Sequence, residues 1–538
     1  MKNLYIYLIL IILSIISISC EDFLTKDNPG SFTTDDKWWE TEENARNALQ
    51  IAYQGLPEGT SGRNAMLIIG LSDEAVGRQN YSNDYPQFTK SLQNSDWGVA
   101  LHMWQDNYIN IRSANRLLEN IHRVYMTNEE LKKRYIHEAK ALRAFHHMEL
   151  LLYFGGIPIV QKTITPAENK LARNTEEECY NFIISEFREA ANGLPAKYDP
   201  ADKERISKAA CWALISRLAL HYHKYDIAAE YAKKIMDLRE TDGEGNPTGS
   251  PLYELWPDYS TLFTYSGNND NNKERIMIRS YGCRDAWQRF APHSLGGEIS
   301  TSPTNSAVNN FETKQGKTIY ELGEDSLAIY IETPNYKNNR DPRFGVSVLC
   351  PGEIYDGQEL DPFSENNLNL DRIGLQHSTS TGFWVKKYLD TRDRYGGRSL
   401  DYMLIRYAEV LLNYVEALIE SGDWKNPDVI TYLNMIRNRA KMPDVNTSVY
   451  NTLQKLRELV RRERQAETAF EGRRFYDIRR WNIANTVMNG QVYGAFNPIT
   501  GQPYEVEVRK YRPERDIRFP IPRGEITSNP NMKQNPGY

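Results

Sequence analysis

The run NEELKKRYIHEAKALRAFHHMELLLYF, from Asn128 to Phe154, constrains this chain more than any other stretch. Apolar and small residues recur along it at helical intervals, and Gly155-Gly156 with Pro158 ends it abruptly. The preceding run, Met103 to Val124, has the same period, and the short link between the two predicts an antiparallel helix pair. Such helices need packed neighbours to bury their apolar faces, so a mostly α fold is expected.

Further helical patterns cover Asp35 to Gln54, Thr175 to Asn192, Ser207 to Arg239, Asp401 to Ser421, Asn426 to Ala440 and Tyr450 to Asn485. The stretch CWALISRLALHYHKYDIAAEYAKKIMDL is similar to a tetratricopeptide hairpin, without a strict internal repeat. Two regions break the pattern: Gly59 to Gly98 and Glu240 to Leu400 are rich in Gly, Asn, Asp and Pro, with scattered rings. Both predict long loops, which in a compact domain are usually functional. The tail from Asn497 reads as an extended segment on the surface. The chain therefore divides into 1–19, 20–240, 241–400 and 401–538.

Lys2 and the apolar run Leu4 to Ile18 have the make-up of a signal peptide, too short for a comfortable membrane span. The run ends Ser17-Ile18-Ser19-Cys20, which resembles the lipobox of bacterial lipoproteins, although Ser17 stands where a Leu-like residue is usual. Cys20 is thus the expected lipidation site and first residue of the mature chain. Ordinary secretion is the other reading of the same pattern.

A net charge of -6 with scattered Lys and Arg leaves no electrostatic footprint for nucleic acid. The cysteines at 20, 179, 211, 283 and 350 form no CxxC pair, so a zinc site is not supported, and Cys179 and Cys211 read as buried thiols in helices. His146-His147 and His221-x-His223 do not share a helix face. The Asn-rich stretch Ser266 to Glu274 lacks EF-hand order and reads as a solvated turn. No GxSxG, HExxH or P-loop is present, so neither a cofactor nor an enzyme is expected. Tyrosines (34) and tryptophans (10) together far outnumber phenylalanines (17), a skew towards rings with a polar handle that suits a wet ligand surface.

Several blocks together resemble the SusD-like (RagB/SusD) outer-membrane lipoproteins of glycan uptake systems. They are EAKALRAFHHMELLLYFGGIPIV (Glu138 to Val160), RYAEVLLNYVEAL (Arg406 to Leu418), RRERQAETAFEGRRFYDIRRW (Arg461 to Trp481), FPIPRGEITSNPNMKQNPGY (Phe519 to Tyr538) and the start CEDFL. The resemblance implies about four tetratricopeptide-like helix pairs and a loop-rich ligand face. It also implies a glycan ligand and a TonB-dependent β-barrel transporter as partner, the membrane being reached through the lipid anchor alone. A lid or assembly subunit for a peptide transporter, with little sugar affinity of its own, is the alternative.

Sugar recognition needs flat rings for stacking and planar polar groups for hydroxyls. The candidate rings are Tyr81, Tyr85 and Trp97 in the first loop region and Tyr281, Trp287 and Phe290 in the second; the candidate polar groups are Arg78, Asn80, Asp84 and Arg284. Trp38, Trp39 and Trp104 are assigned to the core. Glu463, Glu467 and Glu471 recur at i+4 beside arginines, which predicts structural ion pairs rather than an active site.

Overall fold

The helix expected over 128–154 runs from Glu129–Phe154 in the computed structural model, which describes residues 38–60, 66–78, 84–165, 167–331, 336–396 and 399–538. Asn128 starts it by accepting a hydrogen bond from the Leu131 amide, and Gly155, at a φ of 75°, ends it. A side chain at Gly156 would lie 2.2 Å from the Asn174 carbonyl oxygen, so the chain can turn tightly here only with glycine. The signal run and Cys20 lie outside the described residues, as do Asn80 and Tyr81.

Local chemistry sets the other helices in the same way. We label them α1 (Glu42–Gln54), α2 (Gly98–Asn120), α3 (Glu129–Phe154), α4 (Glu176–Asn192), α5 (Lys208–His221), α6 (Tyr225–Met236), α7 (Tyr407–Glu420), α8 (Pro427–Arg439), α9 (Leu453–Glu467) and α10 (Arg474–Arg480). Thr175 and Glu178 form a capping box at α4, and Asn426 caps α8 just before Pro427. From α1 to α6 each helix packs on the next. The chain then departs for residues 237–406, yet α7 packs directly on α6, so this excursion leaves and re-enters the stack at one place.

Ser207 to Arg239 forms two helices, α5 and α6, as a hairpin requires, the chain reversing at His223 in the left-handed region at φ 56°. The sequence reading fails at two joints. Tyr450 to Asn485 breaks after α9 at a turn holding Phe470 and Gly472, both with positive φ. The start of Asp401 to Ser421 is strand. Its residues Tyr402–Arg406 are buried throughout and pair antiparallel with Arg275–Arg279, so ladder bonds rather than helical ones satisfy its backbone.

The loop regions are also less open than expected. The strands that frame the site and the network are β1 (Ala75–Gly77), β2 (Arg275–Arg279), β3 (Thr301–Pro303), β4 (Tyr402–Arg406), β5 (Gly490–Asn497) and β6 (Gln502–Arg509), with further two-stranded ribbons elsewhere in the excursion. β1 pairs with β3, and Arg509 of the β5–β6 hairpin donates to the Ser72 and Ala75 carbonyls at 2.6 and 2.8 Å. The tail runs along the surface but is anchored in the interior. Phe519, Ile521 and Met532 are buried, and Asn535 donates to the carbonyls of Phe154 and Phe519. Trp39 and Trp104 lie in the core as assigned, and Trp38 packs against it partly buried.

The acidic residues of α9 and its following turn do form a buried ion-pair network. Arg406 reaches Glu274 at 2.8 Å, Glu467 at 2.6 Å and Glu471 at 2.8 Å. Arg439 also contacts Glu274 and Glu467, while Arg343 contacts Asp341, Glu463 and Glu467. Lys387 holds Glu471 at 2.9 Å. Burial alone would raise the Glu467 carboxyl, but Arg439, Arg406 and Arg343 outweigh it and hold the group well below the usual carboxylate range. The α7 stripe is paired likewise: Glu409 with Arg217, Asn413 with Arg464, Glu416 with Arg480 and Glu420 with Arg457.

Glu471→Ala strips Arg406 and Lys387 of a counter-charge inside the protein. Urea denaturation should show a loss of about 3–5 kcal/mol, with ligand affinity of the folded fraction unchanged. Normal stability with lost binding would instead assign these carboxylates to a site.

Candidate functional site

The polar stretch around Tyr85 folds into a seat for that ring. Asp84–Thr89 is a short helix lying against β1 and the turn Leu67–Leu71. A methyl group at Gly77 would come within 2.3 Å of the Tyr85 ring, and one at Gly70 within 3.0 Å. Two glycines therefore clear the space into which the ring fits. Burial pushes the phenol above its ordinary range, Asp84 adds to this and Arg289 opposes it, so the hydroxyl keeps its proton.

Tyr85 and Asp84 form part of the wall of a cleft of about 720 Å³, a size suited to a small ligand. Helix α2 supplies Val99, His102, Met103 and Asp106, whose spacing puts them on one face. Gln54, at the end of α1, and Glu58 form another side. Arg284 arrives from the excursion on a turn pinned by the Gly59 amide, which donates to the Gly282 carbonyl at 2.8 Å. Its guanidinium meets Glu58 at 2.6 Å, and that exposed pair closes one end of the cleft.

Tyr281 begins the same turn as Arg284. It is 65% exposed at a φ of 55°, uncommon for an aromatic residue, and its amide donates to Asp401 at 3.1 Å. Arg78 follows Gly77 in the chain but turns to the other side of the strand, as alternation requires. There it contacts His377 at 2.8 Å in a separate groove of about 120 Å³.

The remaining described candidates are core residues, and they correct the sequence reading. Trp97 is 1% exposed, stacked on Phe88 and edge-on to Phe519, and its indole N–H donates to the Asp84 carbonyl at 3.2 Å. It props the cleft from beneath instead of facing it. Trp287 is buried with its N–H bonded to the Leu295 carbonyl, and Phe290 is fully buried. Neither can offer a ring face to a ligand.

Other residues named in the sequence have structural partners. His147 accepts from the Val160 amide at Nε2 and donates through Nδ1 to the Arg143 carbonyl, and burial pulls its pKa down to about 4. Cys179, Cys211, Cys283 and Cys350 are buried and free. Gln54, Glu58, His102 and Asp106 were not anticipated. The stripe of Val99, His102, Met103 and Asp106 at helical spacing, opposite the core stripe of Trp104 and Ile111, was the available signal.

A family model described as the SusD family matches residues 261–538, more than half of the chain. The chain belongs to the SusD family. A second model, described as starch-binding and associating with the outer membrane, matches residues 22–220. The SusD-like protein P2 of Formosa agariphila is 25% identical over the whole of both chains. The starch-binding protein SusD of Bacteroides thetaiotaomicron is also 25% identical, over 87% of this chain and 84% of its own. Among solved structures, a SusD-like carbohydrate binding protein of Bacteroides fragilis superposes with a TM-score of 0.80 at 26% identity, covering 92% of this chain and 100% of that one. Among the described residues, no helix is long and apolar enough to cross a membrane.

If the two glycines seat the ring, Gly77→Ala must displace it, an overpacking effect of about 1–3 kcal/mol. A thermal melt should fall and the Tyr85 ring should move in a crystal structure of the variant. An unchanged melt with the ring in place would show that the seat is not tight.

Proposed function

We propose that this protein is a non-catalytic glycan-binding lipoprotein of the outer-membrane surface, which captures an oligosaccharide in the Tyr85 cleft and delivers it to a TonB-dependent transporter. The observation that carries the reading is the cleft itself: a ring held in a fixed seat, ringed by Glu58, Asp84, His102, Asp106 and Arg284. A seated ring stacks on a sugar face without losing conformational freedom, and the charged groups engage hydroxyls around it. The likeness to a starch-binding relative and to a carbohydrate binding protein of known structure supports the ligand class. The consecutive helix packing fits a tetratricopeptide-like scaffold of about four pairs. The densest carboxylates are committed to buried cations, which supports binding rather than hydrolysis. Tyr281, exposed on the Arg284 turn, is proposed as a second stacking ring.

Affinity electrophoresis of the intact chain in detergent, run against a panel of polysaccharides and peptides, tests this. At least one glycan should be retained, and Tyr85→Ala or Arg284→Ala should weaken it by about tenfold, equivalent to about 1.4 kcal/mol; the melt should hold in Arg284→Ala and fall in Tyr85→Ala, which empties the seat. Peptide retention without any glycan retention would overturn the reading.

Cys20 is proposed as the lipid anchor. Several acyl chains hold a protein stably to a bilayer, so Cys20→Ser should move the protein out of the outer-membrane fraction on cell fractionation. A variant that stays in the membrane fraction would refute the anchor.

A further inference from the structure

A second cavity, of about 430 Å³, lies beside the cleft, and none of the candidate residues belongs to it. Strand β2 connects the two: Ile276 and Ile278 line the cavity, while Arg279 at the strand's end approaches Glu58 of the cleft at 3.5 Å and Glu204 at 3.6 Å. Leu252 and the two isoleucines supply apolar surface. The segment from Lys197 to Ser207 and the Asn-rich turn supply charge.

The cations that line this cavity differ in one respect. Lys203 is paired with Asp270 at 3.0 Å, Arg205 with Glu138 at 2.8 Å, and Arg275 with Asp401. Lys197 is half-buried and, among the described residues, has no carboxylate within 4.0 Å; its ammonium lies 6.0 Å from the centre of the Tyr253 ring. The nearby Glu240 is taken by Lys273 at 2.9 Å, and the lining carboxylates Asp199 and Asp270 are exposed. Burial lowers the Lys197 pKa most, Glu240 opposes this in part, and Lys273 and Arg275 lower it further. A half-buried ammonium without a counter-ion is unfavourable, and an anion entering the cavity relieves it.

We infer that this cavity is a second saccharide subsite, in which Lys197 receives an anionic substituent, a uronate carboxylate or a sulfate ester, while Leu252 and Ile276 face the sugar ring. The inference rests on the glycan-capture reading and extends it: the protein would select charged glycans, using two adjacent sites joined by β2. Two linked weak sites give an avidity that neither has alone.

Isothermal titration of the intact chain in detergent tests it with four probes: trigalacturonate, a sulfated galactan oligosaccharide, its uncharged counterpart and sodium sulfate. One charged oligosaccharide should bind at least about tenfold more tightly than the uncharged one, and whichever it is identifies the substituent. That preference should vanish in Lys197→Met, survive in Lys197→Arg and Tyr85→Ala, and weaken as salt rises from about 50 to about 500 mM. Melts of the Lys197 variants should match the parent, since the side chain has no ion pair to lose. No preference for charge, or a preference that persists in Lys197→Met, would overturn the inference. Sodium sulfate binding as tightly as the oligosaccharide would reduce the cavity to a plain anion site and overturn its saccharide part. Loss of uncharged-glycan retention in Tyr85→Ala reports on the cleft separately, so the two readings fail independently.

Discussion

The guanidinium of Arg406 is the point on which the structure depends. It stands where β4 becomes α7 and binds three carboxylates from two distant parts of the chain: Glu274 before β2, and Glu467 and Glu471 at the end of α9 and in the turn beyond. Arg343 and Lys387 bring the excursion to the same carboxylates. Buried ion pairs add little net stability over apolar packing, but a partner left alone inside the protein is strongly unfavourable. The network therefore penalises every arrangement in which the excursion returns to a different place.

Placement of the excursion in turn builds one end of the cleft. Arg284 reaches Glu58 because the 281–284 turn is bonded to Gly59, and Tyr281 is oriented by Asp401, which also pairs with Arg275 of β2. On the opposite wall, Trp97 holds the Asp84 carbonyl from the core side, next to the ring that Gly70 and Gly77 accommodate. The Arg284 turn and the Asp84 backbone are thus held by Gly59 and Trp97, neither of which lines the cleft. Such support keeps binding groups in position before a ligand arrives.

Much of this was legible in the sequence, for physical reasons that differ by element. The boundaries of α3 were readable because the Asn128 cap and the Gly155 stop act locally. Glu463, Glu467 and Glu471 read correctly as ion-paired, but their partners Arg343, Arg406, Arg437, Arg439 and Lys387 arrive from distant segments and not from arginines along one helix face, which no local spacing reports. Tyr402–Arg406 was misread as helix because its partner strand lies far away in the chain, and no local pattern reports a distant ladder. The rings divided for a similar reason. Trp97, Trp287 and Phe290 sit in loop-like sequence, but irregular chain also needs an interior, and only tertiary packing decides which rings supply it. Asp84, Tyr85 and Arg284 do meet at one cleft, whereas Arg78 is sent to the far side of its strand.

The contact between α6 and α7 has a consequence for how such a protein can change over generations. Because those helices pack directly, the ends of the 237–406 excursion are held together by the scaffold, whatever lies between them. Closing a flexible loop becomes harder only logarithmically with its length, by about 0.6 kcal/mol for each doubling. Insertions and deletions in the excursion can therefore accumulate with little penalty, so long as Glu274, Arg343 and Lys387 are kept for the network. The helical stack acts as a fixed chassis, and the surface that the excursion carries is free to diverge.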